Sequence, residues 1–536
     1  MNGSAKPVAT ILRGASALVA LFAALAAPTP HVIAAAFGEP LWTNRYDGGF
    51  YNFYDYATAV AVDSSGNVFV TGYSVGSTGN YDYVTIKYSG EGPTLWSRRY
   101  NGPANGDDFA RALAVDGSGN VFVTGDSVGS GGNHDYVTIK YSGTGALKWT
   151  NVYNGPGNGA DHANALAVDG SGNVFVTGDS FNGTNTDFAT VAYSNDGTPL
   201  WTNFYNGPGN GGDVAVSVAV DTNGNVFVAG ASWNGTNDDF ATVAYSGAGE
   251  LLWVNRYNGP GNGGDSATAV AASPDGILVV TGTSWGGNND DFATVAYTTA
   301  GVPLWTNRFN GPGNSCDSAA ALAVDTSGNI FVAGSSFGAG SGFDYATIKY
   351  SGAGAGLWTN RFTGEVNGDD IPAALTVDGS GNVFVTGRSA GAASGFDYAT
   401  VAYSGVGLPW WTNHFNGPEN YDDSATAIAV NVSGDVFVTG QSLNSFFNRG
   451  SDYATIKYAG FSPASFTIGE VGVQGGEFQF VFNAEANRTY AVEFLDSLSA
   501  SNWVSLANFP AVPTATNIIV TDAITNDARF YRVRTR

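Results

Sequence analysis

The sequence GNVFVTG at residues 66–72 and its close variants occur eight times along the chain. The last glycine of each copy lies 52 or 53 residues after the previous one, at Gly72, Gly125, Gly178, Gly230, Gly282, Gly334, Gly387 and Gly440. A fixed period of this length is typical of solenoids, propellers and arrays, in which no unit buries its hydrophobic face alone. The repeat therefore indicates the fold class before any single residue is considered.

Each unit of about fifty residues has the pattern of four short β-strands, which we name A, B, C and D in chain order. In the fourth unit these strands are predicted at residues 215–220, 226–230, 240–245 and 251–257. Asn223-Gly224-Asn225 supplies a hairpin turn between the first two, and the second is rich in β-branched and aromatic residues. A solenoid would need shorter coils, and tandem sandwiches would need about 100 residues each. The pattern predicts an all-β, eight-bladed β-propeller over residues 37–460.

The two ends of the array are complementary. The chain enters on a D-type strand at residues 41–46 and leaves on a C-type strand at residues 452–458, with no D strand after it. The simplest interpretation is that the N-terminal strand completes the last blade and latches the ring. Such closure would remove the exposed strand edges that invite aggregation.

Residues 1–36 have the pattern of a secretory signal peptide. Lys6 and Arg13 supply the charged start, residues 15–27 form the apolar stretch, and residues 34–36 offer an A-x-A cleavage site. An N-terminal membrane anchor is the alternative, but the apolar stretch is short for a span of about 20 residues. We expect the protein to be secreted, either to the extracellular space or to the cell envelope, with no membrane span in the mature chain.

The net charge of the chain limits the classes of partner that it can bind. The net charge of −24 becomes −26 once a leader with two positive and no acidic residues is removed. Such a charge disfavours nucleic acid and anionic lipid, and leaves polysaccharide or a protein surface as the expected partner.

Cys316 is the only cysteine, so no intrachain disulfide can form. We expect a monomer that is stable through its core.

Three segments recur in order within the units: A-x-A-V-D-x-x-G-N-V-[FY]-V-[TA]-G, then D-[FY]-[AV]-T-[IV]-x-Y, then L-W-T-N. Over residues 42–458 this pattern resembles the bacterial SBBP β-propeller repeat family, with a departure at residues 273–276 of the fifth unit. The resemblance implies a secreted or envelope-associated propeller. It implies no catalytic residues.

The composition changes after Gly460. Residues 464–536 contain more Glu and Arg, fewer glycines and several alternating segments. They predict a small β-sandwich that resembles the fibronectin- or immunoglobulin-like modules at the end of many secreted bacterial proteins. A likeness at the level of fold carries little information about function.

An acidic residue opens strand A in every unit and would form a ring around the channel mouth. Because Ca²⁺ prefers oxygen ligands, these carboxylates are weak candidates for a calcium site. They are Asp55, Asp108, Asp161, Asp213, Asp265, Asp317, Asp370 and Asp423. The alternative is that each aspartate caps its own D–A turn. No other cofactor is expected.

An aromatic cluster interrupts the repeat in the B–C loops, whose variable length makes their face the expected working face. Phe181, Trp233 and Trp285 lie on three adjacent blades, and Asp238 and Asp290 are extra acidic residues beside them. Aromatic faces with neighbouring carboxylates and amides suit a sugar chain. Packing of these rings between blades is the alternative.

Catalysis has little support in the sequence. The histidines His134, His162 and His414 are widely spaced, and there is no G-x-S-x-G elbow and no metal-binding histidine pair. We therefore expect a non-catalytic binding or scaffold protein that recognises polysaccharide or cell-surface glycan. A protein–protein scaffold and a carbohydrate-active hydrolase or lyase remain open as alternatives.

Overall fold

The computed structural model describes residues 38–48, 54–392, 395–443 and 450–460 of the repeat region. In the C-terminal part it describes residues 468–474, 477–484, 490–495, 504–510, 516–523 and 530–535. The proposed leader at residues 1–36 lies outside the described residues. All regular secondary structure that is described is β-strand. No helix in these ranges has the length and apolarity needed to cross a membrane.

Thirty-two strands build the repeat region. They are β1 (Pro40–Tyr46), β2 (Asp55–Val62), β3 (Val68–Val75), β4 (Tyr81–Tyr88), β5 (Thr94–Tyr100), β6 (Asp108–Val115), β7 (Val121–Val128), β8 (His134–Tyr141), β9 (Leu147–Tyr153), β10 (Asp161–Val168), β11 (Val174–Phe181), β12 (Thr186–Tyr193), β13 (Pro199–Tyr205), β14 (Asp213–Val220), β15 (Val226–Trp233), β16 (Asp238–Tyr245), β17 (Leu251–Tyr257), β18 (Asp265–Ala272), β19 (Ile277–Trp285), β20 (Asp290–Thr298), β21 (Pro303–Phe309), β22 (Asp317–Val324), β23 (Ile330–Gly338), β24 (Gly342–Tyr350), β25 (Gly356–Phe362), β26 (Asp370–Val377), β27 (Val383–Ala390), β28 (Phe396–Tyr403), β29 (Pro409–Phe415), β30 (Asp423–Val430), β31 (Val436–Leu443) and β32 (Ser451–Tyr458).

These strands form eight four-stranded antiparallel sheets, each in the order A-B-C-D, which confirms the predicted eight-bladed propeller. Blade one comprises β2 to β5, and the blades follow in chain order up to blade seven, β26 to β29. Blade eight has the order β1-β32-β31-β30. The N-terminal strand thus supplies the D strand of the last blade, with Tyr46 opposite Tyr453. The ring is latched as the ends of the array predict.

The last glycine of the repeated motif is required by a bulge in strand A. In blade four the pairing between β14 and β15 shifts register between Ala215 and Ser217. The shift brings the Val214 carbonyl oxygen over Gly230, where an added Cβ would lie 2.0 Å from it. No side chain fits at that distance, so the glycine recurs wherever the bulge does.

The hydrophobic core lies in the seams between blades. Phe227 of blade four packs with Leu278 and Val280 of blade five, and both faces of a blade contribute to such clusters. Trp253 on the outer strand of blade four lies 5.9 Å from Tyr297 of blade five, and its Nε1 donates to the Thr299 carbonyl at 3.0 Å. The regular tryptophans therefore join neighbouring blades.

The chain divides into two compact units, of which Ala35–Gly460 forms the larger and Phe461–Arg536 belongs to the other. The C-terminal strands are β33 (Ile468–Gln474), β34 (Glu477–Ala484), β35 (Tyr490–Leu495), β36 (Val504–Phe509), β37 (Thr516–Ala523) and β38 (Phe530–Thr535). They form two three-stranded sheets, β33-β34-β37 and β36-β35-β38. The rings of Phe482 and Phe509, one from each sheet, lie 5.9 Å apart. The β-sandwich remains a prediction that this contact supports.

We expect deletion of residues 40–46 to lower the melting temperature strongly. The deletion removes Trp42, whose ring lies 6.0 Å from both Tyr88 of blade one and Phe437 of blade eight, and it leaves β32 as an open edge. Differential scanning calorimetry checks this, with Leu41→Ala, an exposed residue of the same strand, as the control. A deletion variant that melts with the wild type would contradict the latch.

Candidate functional site

The D–A loops and the B–C loops meet at one end of the blades. In blade four the Gly209 N–H donates to the Trp233 carbonyl at 3.1 Å, and in blade five Gly261 donates to Trp285 at 3.3 Å. The starts of strands A and C lie at the same end. All candidate residues named from the sequence therefore lie on one face of the propeller, which we call the loop face.

The eight aspartates that open strand A are almost fully buried, with exposed fractions between 0 and 3%. Each accepts a hydrogen bond of 2.5–2.8 Å from a glycine N–H of its own D–A loop. In blade four, Asp213 accepts from Gly207 and also from the Trp233 N–H at 2.9 Å. Each such carboxylate thus holds a turn, which is the capping arrangement.

The structure does not gather these eight carboxylates into one site. Within the described ranges, the one group of three acidic or histidine side chains with ligand atoms within 4.8 Å of one another is Asp47, Asp55 and Asp452. It lies where the chain closes the ring, and Asp452 also pairs with Arg45 at 2.9 Å. Calcium binding remains a prediction.

The aspartates at the start of strand C are held by arginines in five blades. In blade four, Arg256 donates to Ser232 Oγ at 2.5 Å, to the Ser232 carbonyl at 2.8 Å and to Asp239 at 3.0 Å. Arg45, Arg99, Arg308 and Arg361 make the corresponding contacts in their blades. Blades two, three and seven carry Val152, Phe204 and His414 at this position. This arginine network stabilises individual blades. Blades two and three, which are neighbours, both lack it.

The predicted aromatic cluster packs against the glycine-rich D–A loops. A Cβ on Gly211 would lie 2.3 Å from Trp233 Cδ1, and a Cβ on Gly263 would lie 2.3 Å from Trp285 Cδ1. Gly159 has the same relation to Phe181 in blade three. These loops are rich in glycine partly because a large ring lies beneath them. The rings keep a partly exposed side, and no ring-to-ring contact joins the three among the described residues.

The predicted acidic partners are well placed beside these rings. Asp238 is directly opposite Trp233 in the pairing of β15 with β16, and Asp290 is opposite Trp285 in blade five. Partial burial, followed by repulsion from Asp213, raises the pKa of Asp238. Burial and Asp265 likewise raise the pKa of Asp290. The structure therefore yields two tryptophan–aspartate pairs, one on each of two adjacent blades.

A second cluster was missed by the sequence analysis and is more continuous. Seven aromatic or imidazole rings form a chain across blades one to three, with neighbouring centroids 4.9–5.9 Å apart. They are Tyr54, Tyr56, Tyr73, Tyr81, Phe109, His134 and His162, and each is partly exposed. We call this set the aromatic row. It lies at the loop-face end of strands A, B and C.

The repeat itself shows that the aromatic row is not part of building a blade. Tyr56, Phe109 and His162 are the second residues of strand A, and their partners on strand B are Tyr73, Asp126 and Asp179. The same pairs in blades four to eight are Val214/Ala231, Ser266/Thr283, Ser318/Ser335, Ile371/Arg388 and Ser424/Gln441. A propeller blade tolerates small residues here. A comparison of the eight repeats at the second residue of strand A would have located the row from the sequence.

Both histidines of the row lie beside buried carboxylates, and His162 is hydrogen-bonded to its own. His134 Nδ1 lies 2.8 Å from Asp126 Oδ2, and His162 Nδ1 lies 3.1 Å from Asp179 Oδ2. Arg111 Nε lies 2.5 Å from the other oxygen of Asp126, which is 1% exposed. The hydrogen bond with Asp179 raises the pKa of His162 against the opposing effect of burial. Two histidines far apart in sequence thus lie 5.9 Å apart, ring to ring.

One family model and several solved structures are similar to this chain. A family model described as SBBP, beta-propeller repeat, matches residues 95–133. Sqt1 from Chaetomium thermophilum is 10% identical, covering 78% of this chain and 100% of its own, with a TM-score of 0.45. A eukaryotic initiation factor (10% identity, 70% and 80% covered, TM-score 0.40) and the polysaccharide lyase Uly1 (10%, 77% and 93%, 0.39) are also similar. No curated protein matches by sequence. Such low similarity carries no argument about function.

We expect Gly211→Ala to destabilise the protein by about 1–3 kcal/mol, because the new methyl overlaps the Trp233 ring. Trp233→Ala in the same chain should recover most of that loss, since it removes the overlap. Chemical denaturation measures both. Gly212→Ala is the matched control, because its nearest neighbour would be Thr186 Oγ1 at 3.4 Å. Equal losses in the single and the double variant would show that the ring does not lie beneath the loop.

We expect the protein to melt at a higher temperature at pH 5 than at pH 7.5. Burial raises the pKa of Asp55, Asp108 and Asp423 from 3.8 to about 6, so the folded state holds these protons more tightly than the unfolded state. The resulting stability is complete below pH 3.8 and is lost as the pH rises through about 6. Calorimetry across this range provides the measurement.

The pH effect should shrink in Asp108→Asn, which removes one of the buried titrating groups. Glu250→Gln, at an exposed position, is the control and should leave the pH dependence unchanged. A melting temperature that falls on acidification from pH 7.5 to pH 5 in the wild-type protein would contradict the assignment.

Proposed function

We propose that this protein binds a polysaccharide along the aromatic row, outside the cytoplasm. The observation that carries the proposal is the unbroken chain of seven partly exposed rings on blades one to three. Aromatic faces stack on the C–H faces of sugars, while neighbouring polar groups bond the hydroxyls. Because the row crosses three blades, it suits a chain of sugars better than a single one.

The polar groups of the row fit such a ligand. Tyr54, Tyr56, Tyr73 and Tyr81 carry hydroxyls beside their ring faces, and Arg111 supplies a cation whose side chain is 40% exposed. The pKa values of Tyr56, Tyr73 and Tyr81 are raised by burial first, so these phenols stay protonated and can donate hydrogen bonds. A neutral or carboxylated glycan would find donors here despite the net negative charge of the chain.

The loop rings predicted from the sequence extend this surface. Phe181 lies in blade three, the blade that also carries His162, and Trp233 and Trp285 follow on blades four and five. All lie on the loop face. We assign the aromatic row as the main binding surface and the loop rings as its continuation for a longer sugar chain.

Export and the oligomeric state belong to the same proposal. The signal-peptide pattern of residues 1–36 supports secretion or placement in the cell envelope, where polysaccharide is accessible. The free edge of each blade is one short outer strand of seven residues, which supports a monomer. A protein–protein scaffold is the competing function.

Affinity electrophoresis of the purified protein against neutral and carboxylated polysaccharides tests the proposal. We expect at least one polysaccharide to retard the wild-type protein, and Tyr73→Ala/Phe109→Ala to remove that retardation. Stacking contributes about 1 kcal/mol or more for each ring, so the double variant should lose about tenfold or more in affinity. Trp233→Ala/Trp285→Ala should have a smaller effect.

The matched control is Thr283→Ala/Ser318→Ala. These residues belong to the same strand positions of blades five and six and contact each other at 2.6 Å, so they report general damage to the seam. Retardation lost equally in the control and the row variant would refute the assignment to the row. Absence of retardation across the panel would favour a protein partner.

A further inference from the structure

We propose that the end of the aromatic row that lies on blades two and three is a catalytic site. This site cleaves a polysaccharide that contains uronic acid, by β-elimination. His134 and His162 transfer the protons, and Arg111 binds the substrate carboxylate. This inference rests on the proposed function, because it requires the polysaccharide to lie along the row. It adds a reaction and a substrate class to the binding surface.

The two imidazoles have the arrangement of a general base and a general acid. A carboxylate lies beside Nδ1 of each ring: Asp179 is hydrogen-bonded to His162 Nδ1 at 3.1 Å, and Asp126 Oδ2 lies 2.8 Å from His134 Nδ1 without hydrogen-bond geometry. Nε2 is then the nitrogen of each ring that can exchange a proton with a ligand. The side chains are 26% and 34% exposed, so both can be reached from the loop face. Their ring centroids are 5.9 Å apart, a separation at which both can act on one sugar ring and its glycosidic oxygen.

The cation needed for elimination is present beside them. Removal of a proton next to a carboxylate becomes easier when a positive group neutralises that carboxylate. Arg111 donates to Asp126 through Nε. Its two terminal nitrogens make no hydrogen bond to any residue that the structure describes. A guanidinium with its outer edge available matches the geometry of a carboxylate.

The repeat again separates this site from blade construction. In blades one, three, five and eight, the bulge residue of strand A is Thr or Asn and bonds to the next blade's strand A carbonyl, as Thr58 does to Ala110 at 2.9 Å. In blade two this residue is Arg111, which contacts Asp126 instead. The bulge residues of blades four, six and seven are Val216, Ala320 and Ala373, so blade two differs from all other blades in placing a partly exposed cation here.

Hydrolysis is less well supported than elimination. Glycoside hydrolases use two carboxyl groups, one to protonate the leaving oxygen and one as base or nucleophile. At the row Asp126 accepts a hydrogen bond from Arg111, and its other oxygen is buried 2.8 Å from His134 Nδ1. Asp179 is engaged by His162 and by Asn164 at 3.4 Å. The carboxylates here orient imidazoles and do not face the substrate.

The reaction balances without a cofactor. His134 Nε2 takes the proton from C5 of the uronic acid, and the electrons of that C–H bond form a C4=C5 double bond. The C4–O4 bond breaks, and the departing O4 takes a proton from the imidazolium of His162. The hydrogen bond with Asp179 raises the pKa of His162, which favours the protonated imidazolium that can donate this proton. Water is not consumed.

The test incubates the full protein with polygalacturonate, alginate and hyaluronan, and with dextran as a neutral polysaccharide. The product of elimination is a uronate with a double bond conjugated to its carboxylate, which absorbs in the ultraviolet. We expect absorbance to rise with at least one uronate and not with dextran. His134→Ala and His162→Ala should each lower the rate about a hundredfold or more. Retardation of each variant by the polysaccharide should fall only slightly, because six rings of the row remain.

His414→Ala is the matched control, since this histidine lies on the outer strand of blade seven and should leave the rate unchanged. Asp179→Asn tests the positioning role of that carboxylate through the pH–rate profile. It should lower the pKa of His162 and move the alkaline limb to lower pH. The other charged groups that interact with the pair are Asp108 and Asp135, which act on His134, and Asp126 and Arg111, which act on His162.

The failures of the two proposals are distinguishable. Retardation by a uronate without any rise in absorbance would overturn the elimination and leave polysaccharide binding in place. Cleavage that persists in both histidine variants would overturn the assigned residues. Absence of both retardation and absorbance across the panel would overturn the proposed function together with this inference.

Discussion

Burial of apolar side chains between neighbouring blades is the constraint on which the rest of the structure depends. Each seam contains residues of two blades, as Phe227 and Leu278 show, and no blade can bury both faces without two neighbours. The array must therefore close, and the strand that carries Trp42 closes it across the chain ends. The fixed bulge of strand A and its glycine follow from the same repeated geometry.

Buried polar side chains that recur from blade to blade organise the loop face. The aspartates that open strand A hold the D–A loops, and arginines such as Arg256 join strands B, C and D of a blade. These groups are buried charges with partners, which a folded chain can retain at modest cost. Because they recur in most blades, they account for most of the acidic residues near the channel mouth. The rest of the loop face is free of these structural groups, and its residues can vary with function.

The aromatic row occupies that remaining part. Its positions are filled by small residues in several other blades, so large rings and histidines there serve no general need of the fold. Blades two and three depart from the repeat at several adjoining positions, namely the second residue of strand A, its partner on strand B and the outer arginine. Departures that contact one another in space are better indicators of a site than any residue that recurs in every blade.

The sequence by itself determined the eight units, their four strands, the latch at residues 41–46 and the loop rings, because hydrophobic alternation, turn residues and a fixed period act locally along the chain. Only the tertiary structure decided which residues meet across a seam. His134 and His162 are separated by a full strand pair and a loop, yet packing of blade two on blade three places their rings 5.9 Å apart. Likewise, only the structure places the rings of Trp233 and Trp285 against the glycines of the D–A loops. Contacts between blades depend on strand register and on the bulge, and neither can be read from one unit taken alone.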